Sequence, residues 1–295
     1  MLAKILGGLK MSKSKSAVQH EEGRFKSTDG LNLFEQNWQP AKEPKAVIII
    51  VHGYAEHSGR YIHTAEYLAN HGYTVETFDL RSHGKSDGKN TFIRSFDEFL
   101  LDVDLFLRRV KERHPNKDTF LLGHSMGGLI ASLFVVTRQP DLQGLILSSA
   151  AVKISADISP TLVKLSSIIG KLFPRLPTIK LDSAAISRDP EIVRKYDTDP
   201  LNYRGGFPAR TGAEITRATK LIQQQMEAIK LPLLIFHGTA DRLADPGGSQ
   251  QLYERAQSKD KTLKLYDEFY HETMNEPGKE RVLGDIVGWL DGHIS

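Results

Sequence analysis

The 295-residue chain has no cysteine. That excludes disulfides, thiolate nucleophiles and cysteine metal sites, and it fits a reducing cytoplasmic compartment most easily. A dominant charge is lacking too, since 39 Lys and Arg against 36 Asp and Glu leave a formal net charge of +3. The basic residues are scattered among acids rather than gathered into a stripe, which argues against nucleic acid as a partner. No apolar run approaches the twenty or so residues that a membrane span needs. The opening stretch "MLAKILGGLKMSKSKS" places Leu2, Ile5, Leu6 and Leu9 in a short run broken by Lys4, with no A-x-A-like cleavage site. It reads as a flexible tail over residues 1–20 rather than a signal peptide, the competing reading being a weak amphipathic helix touching a membrane surface.

What is present is an alternation of strand and helix patterns. "FKSTDGLNLFEQNW" gives two short runs around Thr28-Asp29-Gly30, a hairpin signal. "AVIIIVHG" is continuous and β-branched, as a strand covered on both faces should be. A helical stretch at Arg60 to Asn70 and a strand at Tyr73 to Leu80 follow. Phe96, Phe99, Leu100, Val103, Phe106, Leu107 and Val110 then mark one face of a helix stopped by Pro115. Further strands are expected at Thr119 to Leu122, "LQGLILSSAAV", "LPLLIFHG" and "KTLKLYDE", with helices after Ser125, near Gly248 to Ala256, and from Pro277 to about His293. Repeated units of this kind imply an α/β fold with a mostly parallel central sheet and helices on both faces.

The alternation lapses over residues 153–230, too long for a plain connection. That stretch has a helical pattern of its own, including Leu162, Val163, Leu165, Ile168, Ile169, Leu172 and Phe173, followed by turns at Pro174, Pro177, Pro190, Pro200 and Pro208. It is expected to be an inserted, mainly helical cap over the carboxyl edge of a core made of residues 21–152 and 231–295, the edge where ligands bind in open α/β folds. Part of the apolar face of "TLVKLSSIIGKLF", with Ile169 and Leu172 as substrate contacts, is expected to line a path for an acyl chain and to meet lipid aggregates; the alternative is packing wholly inside the cap.

The chemistry gathers around "LLGHSMGGLI", where strand gives way to helix across a G-x-S-x-G turn. A serine at such an apex sits on a strained backbone, while Gly123 and Gly127 leave room where a Cβ would crowd the turn. The strain lifts the Ser125 hydroxyl clear of the sheet, next to the free N–H groups of the following helix. Such a nucleophile needs a base, an acid and two oxyanion donors. His271 directly follows the last strand, and its neighbours "HETMN" lack the second histidine of a zinc-binding H-E-x-x-H pair. Asp241 lies just past the preceding strand, whereas Asp245 reads as a turn or helix-cap residue. The oxyanion donors are expected to be the backbone N–H groups of Tyr54 and Met126, with His52 bracing its loop. No metal or organic cofactor is required. The order Ser, Asp, His is that of α/β-hydrolases.

With "HGYAEHSGRY", "DLRSHGKSDG", "LLGHSMGG", "DPLNYRGGFPARTGAE", "HGTADRLADPGGS" and "DKTLKLYDEFYHE", the chain resembles the monoacylglycerol lipases and related cap-bearing serine esterases of the α/β-hydrolase fold, from about Thr28 to Leu290. The resemblance implies Ser125 as nucleophile, His271 as base, Asp241 as its orienting acid, and a lipid or small ester as substrate. Two positions depart from the family pattern. Tyr54 stands where a small residue is frequent, implying narrower substrate access, and Ser82 stands where a glycine is frequent in the "D-x-R-G-H-G-x-S" loop, whose Arg81 and His83 read as structural. Lysophospholipase or general carboxylesterase activity is the nearest alternative. A serine peptidase, or a non-catalytic binding relative that would have lost a triad member, is further away.

Overall fold

The computed structural model describes residues 18–153 and 168–295. The opening stretch through Ala17, and Leu162, Val163 and Leu165 of the insertion, lie outside the described residues. A hairpin opens the fold: β1 (Gln19–Lys26) and β2 (Asn32–Gln39) pair antiparallel, Gln19 opposite Gln39, around Gly30 at φ +90°. β1 begins inside the segment expected to be a tail, because Gln19 and His20 find ladder partners in Gln39 and Trp38.

"VIIIV" forms β3 (Val47–Val51), every residue buried. β4 (Thr74–Phe78), β5 (Thr119–His124), β6 (Gly144–Ser148), β9 (Leu233–Gly238) and β10 (Lys261–Tyr266) complete a sheet of order β1-β2-β4-β3-β5-β6-β9-β10. From β4 to β10 all pairings are parallel, so β3, β5, β9 and β10 end at one edge. Alternate residues of β3 serve opposite faces. Ile48 and Ile50 pack with Leu68 of α1 (Ile62–Asn70) and Ile286 of α7 (Lys279–Asp291). Val47, Ile49 and Val51 join Phe99 and Val103 of α2 (Asp97–Arg113), Leu129 and Leu133 of α3 (Met126–Arg138), and Leu252 of α6 (Pro246–Arg255). Burial on both faces is why these strands read as continuous apolar runs.

Between the neighbouring strands β6 and β9 runs the long insertion. Its described part holds a helical turn at 168–172, a small antiparallel pair of β7 (Pro177–Lys180) with β8 (Gly206–Pro208), α4 (Pro190–Thr198) and α5 (Ala209–Gln225). Asp189 caps α4 by accepting from the Glu191 N–H at 2.9 Å, with Pro190 at the first position. Ala218 and Ile222 of α5, with Met226 and Ile229 after it, are buried in the same cluster as β3 and α3, so the end of the insertion is built into the main core.

Gly170 sets the facing of the 168–172 turn. A Cβ there would meet the Ala209 carbonyl oxygen at 2.9 Å and Ala213 at 3.2 Å, so this side lies against α5. Residues two positions away on a helix point the opposite way. Ile168 and Leu172 accordingly face outward, Leu172 at 67% exposure, with Phe173 beside it at 62%. Leu172 is therefore not packed inside the insertion, while Ile169 is half-buried. No described helix is long and apolar enough to cross a membrane.

Candidate active site

β5 delivers Ser125 to the sheet edge and α3 begins at the next residue. Ser125 has φ 54° and ψ −118°, a conformation that costs a non-glycine residue about 1–3 kcal/mol. Its backbone is held there from both sides: Ser125 N–H donates to the Ser148 carbonyl at 2.9 Å, and its own carbonyl accepts from Ala151 N–H at 3.0 Å. The turn closes only because Gly127 and Gly123 lack a Cβ: one on Gly127 would run into the Val51 carbonyl oxygen, and one on Gly123 into that of Gly127. Ser125 is half-buried, and its hydroxyl has no hydrogen-bond partner among the described residues.

The loop after β3 abuts this serine. A Cβ on Gly53 would stand 3.2 Å from Ser125 Cβ. Gly53 N–H is taken by Glu56 Oε1 at 2.6 Å, whereas Tyr54 N–H has no partner among the described residues. Met126 is the first residue of α3, where N–H groups have no intrahelical carbonyl to meet. The two expected donors thus flank Ser125 from separate elements. The Tyr54 side chain is fully engaged: its ring stacks on Phe207 of the insertion, centroids 3.8 Å apart, and its hydroxyl bonds Thr91 at 2.8 Å.

His271 and Asp241 meet at the same edge, His271 Nδ1 lying 2.7 Å from Asp241 Oδ2. Burial works to depress the His271 imidazolium, but the Asp241 charge and hydrogen bond outweigh it, with Glu272 and Glu56 adding, and His271 is held above its ordinary value. Burial works to raise Asp241, yet the facing imidazoles of His271 and His237 hold it well below the usual carboxylate range. His124, whose ring centroid lies 4.8 Å from that of His271, is pushed down to about 4 by burial and by His271. Of these two neighbouring imidazoles, His271 is the one whose surroundings favour its protonated form.

Asp245 lies elsewhere: it caps α6 by accepting from Gly247 N–H at 2.8 Å and pairs with Lys153. His52 braces its loop, with Nδ1 2.8 Å from the Gly53 carbonyl and Nε2 accepting from Leu80 N–H at 2.9 Å. Arg81 is bound to Asp102 and Asp29, and His83 is buried against the Arg81 carbonyl. Ser82 has φ 64°, the left-handed region that favours glycine, which explains why a glycine is frequent there. Among the described residues no group of three or more His, Asp or Glu side chains is placed to hold a metal ion.

Two groups at this edge were not expected from the sequence. Arg60 bridges Glu56 at 2.6 Å and Glu272 at 2.5 and 2.7 Å, tying the Gly53–Tyr54 loop to the residue after His271. Burial opposes the Glu56 charge, but Arg60, with His124 and His52, holds its carboxyl down at about 2. The sequence signal was the Glu-x-x-x-Arg spacing in "EHSGR". The other is His237, four residues before Asp241 and 2.9 Å from its Oδ2.

The sheet order and a strained serine at the end of its central parallel strand make this an α/β-hydrolase, and the chain is a serine ester hydrolase of that class. Residues 42–278 match the family described as serine aminopeptidase, S33. The monoacylglycerol lipase of Mycolicibacterium smegmatis is 36% identical over 92% of this chain and 98% of its own length. The human monoglyceride lipase is 35% identical over 83% of this chain and 81% of its own. The crystal structure of Paleococcus ferrophilus monoacylglycerol lipase, 32% identical, superposes with a TM-score of 0.80 over 88% of this chain and 99% of that one. The chain belongs to the monoacylglycerol lipase family.

Proposed function

We propose that this protein hydrolyses monoacylglycerols to fatty acid and glycerol through an acyl-enzyme on Ser125. The observation that carries the reading is the strained Ser125 on the same sheet edge as the His271–Asp241 pair at 2.7 Å, in a chain similar to monoacylglycerol lipases over most of its length. Neutral His271 takes the Ser125 proton as the oxygen attacks the ester carbonyl, and Asp241 holds the ring with its proton on Nδ1 and stabilises the imidazolium. Tyr54 and Met126 N–H groups hold the oxyanion. Glycerol leaves with the proton from His271, and water repeats the cycle on the acyl-enzyme. A panel of monoacylglycerols, triacylglycerols, lysophospholipids, short p-nitrophenyl esters and aminoacyl-arylamides tests the assignment. The highest kcat/KM is expected for a long-chain monoacylglycerol, and preferential release of arylamine would make the chain a peptidase, as its family description reads.

Activity should be lost as pH falls, because protonated His271 cannot accept the serine proton. Since His271 sits above its ordinary 6.5, the acid limb of kcat/KM is expected above that pH. A limb well below it would show that a different base operates.

Residues 153–230 serve in this reading as the cap. Ile168, Leu172, Phe173, Leu176 and Ile179 are exposed, interleaved with Lys171, Arg175 and Lys180. We assign this strip to contact with lipid aggregates or a membrane surface, and half-buried Ile169 to the acyl path. An apolar side chain moved from water into lipid is worth about 1.5–3 kcal/mol. Leu172→Ser should weaken binding to phospholipid vesicles while leaving p-nitrophenyl acetate hydrolysis unchanged. Ile169→Ser should lower kcat/KM for long-chain monoacylglycerols far more than for the acetate ester, at unchanged Tm. Equal losses on both esters with a lower Tm would place Ile169 in cap packing instead.

A further inference from the structure

One carboxylate oxygen is shared by two imidazoles. Asp241 Oδ2 lies 2.7 Å from His271 Nδ1 and 2.9 Å from His237 Nε2, while Oδ1 accepts from the Leu243 and Ala244 N–H groups at 2.7 and 3.1 Å. His237 lies in β9, wholly buried, and its other nitrogen, Nδ1, is 2.7 Å from Ser249 Oγ in the first turn of α6. An ionised carboxylate only accepts, and a neutral imidazole has one donor and one acceptor nitrogen. With a neutral His237 ring the directions follow: Ser249 O–H donates to His237 Nδ1, and His237 Nε2–H donates to Asp241. Three of the four donors on Asp241 keep its charge in place, and the fourth is His271 itself.

We propose that His237, held in one tautomer by Ser249, is a positioning residue that sets the basicity of His271 by drawing on the charge of the Asp241 oxygen they share. The proposal rests on reading Ser125, His271 and Asp241 as the triad. A donor on a carboxylate stabilises its charge and weakens the field it presents to a neighbour. Without His237 the Asp241 oxygen would stabilise the His271 imidazolium more strongly, and a higher pH would be needed to free the base. The other groups facing His271 are the His124 ring and the Glu272 and Glu56 carboxylates bridged by Arg60, none of which touches His237. Around His237 the charged neighbours are Asp241 and, farther off, Asp245, which is paired with Lys153.

The test is the pH profile of kcat/KM for p-nitrophenyl butyrate in His237→Leu, His237→Gln and Ser249→Ala. In His237→Leu the acid limb is expected to rise by about half to one pH unit, a roughly three- to tenfold loss at pH values below the limb. KM should change by less than about twofold, because the effect lies on the base rather than on substrate binding. His237→Gln retains an N–H donor in reach of Oδ2 and should restore the limb to within about 0.2 unit. Ser249→Ala keeps the ring but weakens its polarisation, so its limb should move the same way by less. An unmoved limb in folded His237→Leu, or equal shifts in the Leu and Gln variants, overturns the proposal; if His237→Leu does not fold, an unmoved limb in Ser249→Ala does so. Labelling of the unsubstituted enzyme with a fluorophosphonate separates the two levels. No adduct on Ser125 contradicts the triad, whereas an adduct with an unmoved limb contradicts only the role of His237.

Discussion

Ser125→Ala is expected to fold as the parent does and to lose ester turnover by a factor on the order of 10³ or more, because nucleophile, base and acid act as a unit. The fold should survive because nothing at the turn depends on the hydroxyl. The backbone is pinned through Ser148 and Ala151, and Ser125 Oγ has no partner among the described residues. The positive φ is as costly for alanine as for serine, so Tm should barely move. Steady-state rates on a monoacylglycerol, alongside circular dichroism, decide the matter. Near-normal turnover in a folded variant would remove Ser125 from the mechanism.

A second large effect is expected at Asp241. Asp241→Asn should lower turnover by about 10⁴, the cost of leaving a triad histidine in the wrong tautomer. The local bonding says why the amide cannot adapt. Leu243 and Ala244 N–H groups both face Oδ1, so the Asn oxygen is drawn to that side and its NH₂ is turned toward His271 and His237. A donor then meets a donor, and His271 must move its proton to Nε2, where it cannot accept from Ser125. Asp245→Asn should leave turnover nearly unchanged and cost less than about 1 kcal/mol, since asparagine caps a helix as well as aspartate does. Parallel kcat measurements on the two variants test the ranking, and the reverse order would move the orienting acid to Asp245.

The elements that position the site were legible where the local pattern and the tertiary role agree. "VIIIV" is continuous because β3 is buried on both faces, and the glycines around Ser125 are spaced by the turn they permit. Ser125, Asp241 and His271 could be placed because each follows a strand of one parallel sheet. Arg60 was not, since its partner Glu272 is 212 residues away and no local period connects them. His237 was hidden for a different reason: inside a fully buried parallel strand, a polar residue carries no mark of which neighbour satisfies it. β7 and β8 are short, and β7 is exposed throughout, so neither alternates enough to read as a strand. The outward facing of Leu172 comes from the close approach of Gly170 to α5, a contact between segments some forty residues apart.

The central claim is that a monoacylglycerol is cleaved through an ester on one particular serine. Rapid quenching of the enzyme with a long-chain monoacylglycerol, followed by intact-mass and peptide mapping, tests it most directly. The expected result is a transient adduct of the fatty acyl mass on the peptide carrying Ser125, formed as glycerol is released and absent from Ser125→Ala. Acylation of another residue, or glycerol release at full rate from Ser125→Ala, would contradict it.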